Sequence, residues 1–178
     1  MSTRRKFLEL AASVGLGVGL GKLFPETIAK VEKPKYKKGI VLSTWNHGIP
    51  ANKAAMEVIN SGGTAVDAVE VGVRVVEADP EGQSVGIGGL PDRDGRVTLD
   101  ACIMNHEGNA GSVCFLEDIL HPISVARRVM DDTPHVMLAG KGAQRFALDN
   151  GFITTNLLTP RSKAAWQEWL KTASYKPI

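Results

Sequence analysis

An α+β fold is predicted for this 178-residue chain. Three observations predict it. Helical runs and short β-branched runs are mixed along the chain rather than strictly alternating. Two apolar runs, 96–104 and 110–116, flank the turn Asn105-His106-Glu107-Gly108-Asn109 and so read as a β-hairpin, which makes part of the sheet antiparallel. The hydrophobic content of 43% is ordinary for one globular domain of soluble type.

The elements follow in order. Residues 39–44 (GIVLST) form a short apolar, β-branched run, expected as a buried strand. Trp45-Asn46-His47-Gly48-Ile49-Pro50 breaks it. Residues 51–59 are helical by composition, and Ser61-Gly62-Gly63 ends them with glycine at the C-cap. Residues 64–78 are a second helix. Thr64 is its N-cap and Asp67 stands at N3, favourable for the helix dipole. Val66, Val69, Val73 and Val76 recur at helical spacing, which predicts one buried face. Asp79-Pro80 closes it. The hairpin comes next. Residues 122–130 are a helix with Pro122 at its start, 135–139 a short strand, 141–150 a helix stopped by Gly151, and 160–172 a last helix.

Charge and cysteine content exclude several function classes. The net charge is +2, but much of the positive charge lies in the first 38 residues, so the remainder is slightly acidic. A nucleic-acid binder would carry its basic patch in the folded part. Cys102 and Cys114 make neither a disulfide scaffold nor a zinc site, because no Cys-x-x-Cys or Cys/His set exists. They read as two small buried hydrophobes on neighbouring strands; a single disulfide between them is the alternative, relevant if the protein is exported.

The N-terminus bears on export. Thr3-Arg4-Arg5-Lys6-Phe7-Leu8-Glu9 precedes the run LAASVGLGVGL at 10–20. A twin arginine before a weakly hydrophobic Gly/Ala-rich run resembles a bacterial twin-arginine leader. The run is too short to span a bilayer as a helix and matches a signal h-region. Residues 1–35 are expected to be leader and linker, and 36–178 the folded part. The expected location is the periplasm or outside the cell.

The stretch QSVGIGGLPD at 83–92 holds three glycines, a serine and a proline in ten residues. A phosphate cradle needs glycines between a strand and a helix, where amides and the helix N-terminus face the anion. Here the loop follows a helix and precedes a strand. Gly82-Gln83-Ser84-Val85-Gly86 fits the nucleophile-elbow pattern Gly-x-Ser-x-Gly literally, but the flanking order is again inverted. Two readings stay open on the residues alone: a close backbone wall of a pocket with Ser84 at its rim, or a tight connection with no partner.

The run GGTAVDAVEVGVRVVEADPEGQSVGIGGLPDRDGRVTLDACIM at 62–104 resembles the glycosylasparaginase branch of the N-terminal nucleophile hydrolases. VLSTWN (41–46), GSV (111–113), HPISVAR (121–127), TPHVMLAGKGAQRFALDNGF (133–152) and the tail WQEWLKTASYKPI agree with it. The resemblance implies an αββα four-layer sandwich and a precursor that cuts itself before a threonine. The freed threonine would attack the side-chain amide of N-acetylglucosaminyl-asparagine, with its own α-amino group as base and an oxyanion hole for the intermediate. No metal or cofactor is implied. Ser84 matches the serine that sits beside the threonine and supports its amine, and Trp45 matches a tryptophan of the substrate pocket, where an indole offers a sugar a flat face. A plain core tryptophan is the other reading of Trp45. His47 reads as a satisfied loop histidine. Asp67 and Asp100 read as structural acids at a helix start and a strand end, and Trp166 and Trp169 as packing residues.

The chain departs from the family pattern: His47 stands where relatives often carry phenylalanine, and the segment with the nucleophile is missing. It contains no His-Asp-Thr; its one Asp-Thr pair, Asp132-Thr133, precedes Pro134 in the wrong context. No catalytic nucleophile is therefore assigned within these residues. The expectation is an α-subunit with its leader, or a truncated precursor. It would hold the N-terminal half of the sandwich, be inactive by itself, pair with a β-subunit segment that carries the nucleophile, and form a homodimer of αβ units. An isolated half would expose sheet edge and apolar face. The alternatives are a plant-type asparaginase or isoaspartyl peptidase fragment, whose first strand would carry His-Gly-Gly-Ala-Gly where this chain has Ser-Thr-Trp-Asn, and a non-catalytic fragment with a binding role.

Overall fold

The computed structural model describes residues 39–174. The leader and linker expected over residues 1–35 lie outside the described residues. Among the described residues five helices and a three-stranded sheet follow one another: α1 (Gly48–Asn60), α2 (Ala65–Glu77), β1 (Thr98–Met104), β2 (Ala110–Glu117), α3 (Pro122–Asp132), β3 (Leu138–Ala139), α4 (Gly140–Asp149) and α5 (Pro160–Leu170). The mixture of helices with a small sheet is α+β. Among the described residues no helix is long and apolar enough to cross a membrane.

Helices α1 and α2 pack against each other and are joined by residues 61–64. Their contact uses small residues. Ala51 and Ala55 of α1 and Ala68 and Gly72 of α2 are buried, and a Cβ on Gly72 would come within 2.9 Å of the Ala51 carbonyl oxygen. This corrects the expected valine face. Val66 and Val73 do pack on the core, but Val69 is 47% exposed. Close helix approach selected the small residues over the larger ones. Thr64 and Asp67 close a capping box: the Thr64 hydroxyl accepts from Asp67 N–H, and the Asp67 carboxylate accepts from Thr64 N–H.

The hairpin forms as expected, with Met104 opposite Ala110 and Thr98 opposite Glu117. Its register shifts between Leu99 and Ala101. Asp100 sits at that irregularity, and its carboxylate takes the Phe115 N–H at 2.7 Å in place of a ladder carbonyl. Asp100 is thus a bulge acid within the strand, not a strand-end acid. The bulge puts Phe115 at φ 54°, a conformation bulky side chains rarely adopt. Helices α3 and α4 cover one face of the sheet. Ile103, Val113, Leu116, Ile119, Ile123, Val125, Val129, Ala143 and Ala147 make the core there. On the opposite face Asp100, Cys102 and Met104 are exposed.

Two strand expectations are corrected. Residues 39–43 take no regular structure, and Ile40 and Leu42 are exposed. A β-branched run becomes a strand only where an edge accepts its amides and carbonyls, and no described strand offers one. The run 135–139 pairs only at Leu138 and Ala139, parallel to Val113 and Cys114 of β2. The cysteines are also corrected. Cys102 is exposed, Cys114 is half-buried, and both thiols are free.

Candidate functional site

Three residues outside the glycine loop hold it, and one hydrogen bond closes it on itself. Ile87 N–H donates to the Glu77 carbonyl at 2.9 Å, Gly88 N–H to the Leu157 carbonyl at 2.8 Å, and Leu90 N–H to the Gln83 carbonyl at 3.1 Å. The buried Ser162 hydroxyl of α5 donates to the Gly88 carbonyl. Gly86 and Gly88 have positive φ, and the space at Gly86 is closed: a Cβ there would lie 1.9 Å from the Glu77 carbonyl oxygen. Glycine is required by the close approach as well as by the backbone angle. The loop is therefore a tightly packed connection that carries Ser84 on its outer side.

Ser84 is exposed and lines a cavity of about 390 Å³ with Val73, Glu77, Thr98, Asp100 and Cys102. The cavity gathers two hydroxyls, a thiol and two carboxylates beside strand β1. Burial does not leave Glu77 unpaired. One carboxylate oxygen accepts from Ile123 N–H at 3.0 Å and the other lies 3.0 Å from His121 Nδ1. Asp100 acts on the neighbouring thiol: its hydrogen bond, then its negative charge, push the Cys114 thiol above the ordinary cysteine range.

Trp45 is 73% exposed, which excludes the core-tryptophan reading. Its ring stacks with His47, with centroids 6.4 Å apart and an interplanar angle of 13°. His47 is thus a stacking partner of the indole. Trp45 does not line the Ser84 cavity, so the described residues do not bring the two sequence-predicted site residues into one pocket. Trp166 packs as expected, its indole N–H donating to the Arg93 carbonyl, whereas Trp169 is 41% exposed. With Leu90 and Pro91 the two tryptophans line a more apolar cavity of about 270 Å³. That cavity holds no serine, threonine, cysteine or histidine, so the chemistry favours the Ser84 cavity. Among the described residues no three His, Cys, Asp or Glu side chains group as a metal cage needs.

The model of the asparaginase family matches residues 40–177. The chain belongs to this family, the asparaginase group of N-terminal nucleophile hydrolases. It is 53% identical over 178 residues to the N(4)-(beta-N-acetylglucosaminyl)-L-asparaginase of Elizabethkingia miricola, covering 99% of this chain and 52% of that protein. The rat protein of the same name is 41% identical over 132 residues, 74% of this chain and 38% of its own length. The isoaspartyl peptidase/L-asparaginase of Bos taurus is 39% identical over 155 residues, 84% of this chain and 47% of its own. The chain spans about half the length, or less, of these curated relatives.

Glu77 is the site residue that sequence reasoning missed. Its signal was present: it follows Val73 by four positions, on the inward side of α2, where a carboxylate needs a partner. The partners themselves, Ile123 and His121, lie more than forty residues away.

Proposed function

We propose that this asparaginase-family chain is one part of a glycosylasparaginase-type amidase acting on N-acetylglucosaminyl-asparagine. The observation that carries the proposal is the 53% identity to such an enzyme across 99% of the chain. In this reading a threonine in a β-subunit segment adds its hydroxyl to the side-chain amide carbonyl. Its own α-amino group takes the hydroxyl proton, an oxyanion hole holds the negative oxygen, and the amide C–N bond breaks with proton return to the leaving amino sugar. Water then opens the aspartyl ester to release aspartate.

Within this proposal Ser84 stands beside the threonine amine, and Trp45 presents its face to the sugar. The exposure of both side chains supports the reading, since each is open to a partner. The β-subunit completes the αββα sandwich over the uncovered apolar residues Ile40, Leu42, Ile49, Val136, Met137 and Ile153, which solvated surfaces seldom gather. The complete units pair as a homodimer, and the Arg4-Arg5 leader directs export to the periplasm or outside the cell. The plant-type reading is weighed against it because isoaspartyl peptidase/L-asparaginase relatives also match.

The deciding assay co-expresses this chain with the remaining part of the protein and compares hydrolysis of N-acetylglucosaminyl-asparagine, L-asparagine and an isoaspartyl dipeptide. The glycoasparagine is expected to give the highest kcat/KM, and the 178-residue chain by itself no turnover. Preference for the isoaspartyl dipeptide would replace the proposal with the peptidase reading.

A further inference from the structure

Glu77 closes α2, and only 2% of it is exposed. A carboxylate stays buried only when donors meet its oxygens. Here Ile123 N–H, in the first turn of α3, meets one and His121 Nδ1 faces the other. The main chain of the same residue holds the glycine loop. Its carbonyl accepts Ile87 N–H, and Gly86 packs against it with no room for a Cβ. One residue thus joins α3, through its side chain, to the loop, through its backbone. Ser84 stands two residues before Gly86 and lines the same cavity as Glu77.

We infer that Glu77 is a positioning residue: its carboxylate, clamped between the α3 N-terminus and His121, sets where the glycine loop places the Ser84 hydroxyl. Its relevance to turnover rests on the reading above that Ser84 borders the nucleophile. A clamp of this kind acts through geometry. Released, it lets the loop drift, and misplacement by about 1 Å costs on the order of 100-fold in rate. The substrate's binding groups are untouched, so the loss falls on kcat rather than on KM.

The test uses this chain assembled with the remaining part of the protein, and follows glycoasparagine hydrolysis together with hydrogen exchange at the Ile87 and Gly88 amides. Glu77→Ala and His121→Ala are expected to speed that exchange and to lower kcat roughly 10- to 100-fold at nearly constant KM. Glu77→Gln keeps an oxygen for Ile123 N–H and restores both readouts towards the parent. The inference is overturned if Glu77→Ala lowers the melting temperature while kcat per folded molecule and loop exchange stay unchanged. Ser84→Ala separates the two ideas. If it spares kcat while Glu77→Ala still loosens the loop, the role given to Ser84 falls and the clamp stands. If it lowers kcat while Glu77→Ala leaves the loop rigid, the clamp falls. Should Glu77→Ala fail to fold, His121→Ala carries the same comparison, because Glu77 then keeps its Ile123 partner.

Discussion

Replacing Gly86 with alanine separates the two demands placed on the glycine loop. Gly62 and Gly86 both have positive φ, 90° and 61°. An alanine at Gly62 meets nothing within 4 Å, so it bears only the conformational cost, about 1–2 kcal/mol for an L-residue in the left-handed region. At Gly86 the new Cβ would lie 1.9 Å from the Glu77 carbonyl oxygen and 2.4 Å from its Cα. Those are backbone atoms, so no side chain can swing away. The loop must retreat by about 1.5–2 Å to reach ordinary contact, which breaks the Ile87–Glu77 hydrogen bond. Overpacking adds about 1–3 kcal/mol and the lost hydrogen bond about 1 kcal/mol. Gly86→Ala is therefore expected to cost about 3–6 kcal/mol. Equilibrium urea unfolding of the chain, read by tryptophan fluorescence, measures this. With a slope of about 2 kcal/mol per M, the Gly86→Ala midpoint falls by about 1.5–3 M and that of Gly62→Ala by about 0.5–1 M. Midpoints that agree within about 0.3 M would refute the packing argument, leaving backbone angle as the whole reason for glycine at Gly86.

Other outcomes follow from the same geometry. Thr64→Ala should cost about 1 kcal/mol, read by thermal or urea unfolding, because it removes the N-cap acceptor for Asp67 N–H. Thr64 hydrogen bonds, side chain first and backbone second, hold the Asp67 carboxyl below its ordinary value of 3.8. A depressed folded-state pKa stabilises above the unfolded value and is lost as pH falls through the folded one. The stability difference between the parent and Asp67→Asn should thus persist at pH 5 and shrink below about pH 4; a difference constant down to pH 2 would contradict it. At pH 8 iodoacetamide should label exposed Cys102 before Cys114, whose raised pKa leaves less thiolate, and Asp100→Asn should speed Cys114 labelling in a mass-spectrometric time course. Leu116→Ala, which opens a hole at a fully buried position of β2, should cost about 2–5 kcal/mol in the same urea assay.

The sequence by itself determined what depends on near neighbours. Thr64 and Asp67 mark the start of α2 because the capping box links residues three positions apart. Asn105–Asn109 marks the hairpin turn because its bonds close locally, with Asn105 N–H on the Asn109 carbonyl. Pro122 and Pro160 sit at helix starts because the lost amide has no partner there in any case. The loop at 83–92 was legible as a special connection, and Ser84 as its outward group, from glycine spacing and family resemblance.

Tertiary structure decided the rest. Whether 39–43 becomes a strand depends on an edge supplied from elsewhere, which no local pattern encodes. Which face of α2 is buried followed from how closely α1 approaches, and that favoured Ala68 and Gly72 over the larger Val69. Asp100 became a bulge acid because its carboxylate reached Phe115, fifteen residues along, on the partner strand. Glu77 gained its meaning only when folding brought His121 and Ile123 within 3.0 Å of its oxygens. Local hydrogen bonds and backbone angles are written in runs of a few residues. Burial and charge pairing are settled by distances between residues far apart in the chain, and those distances exist only once the chain has packed.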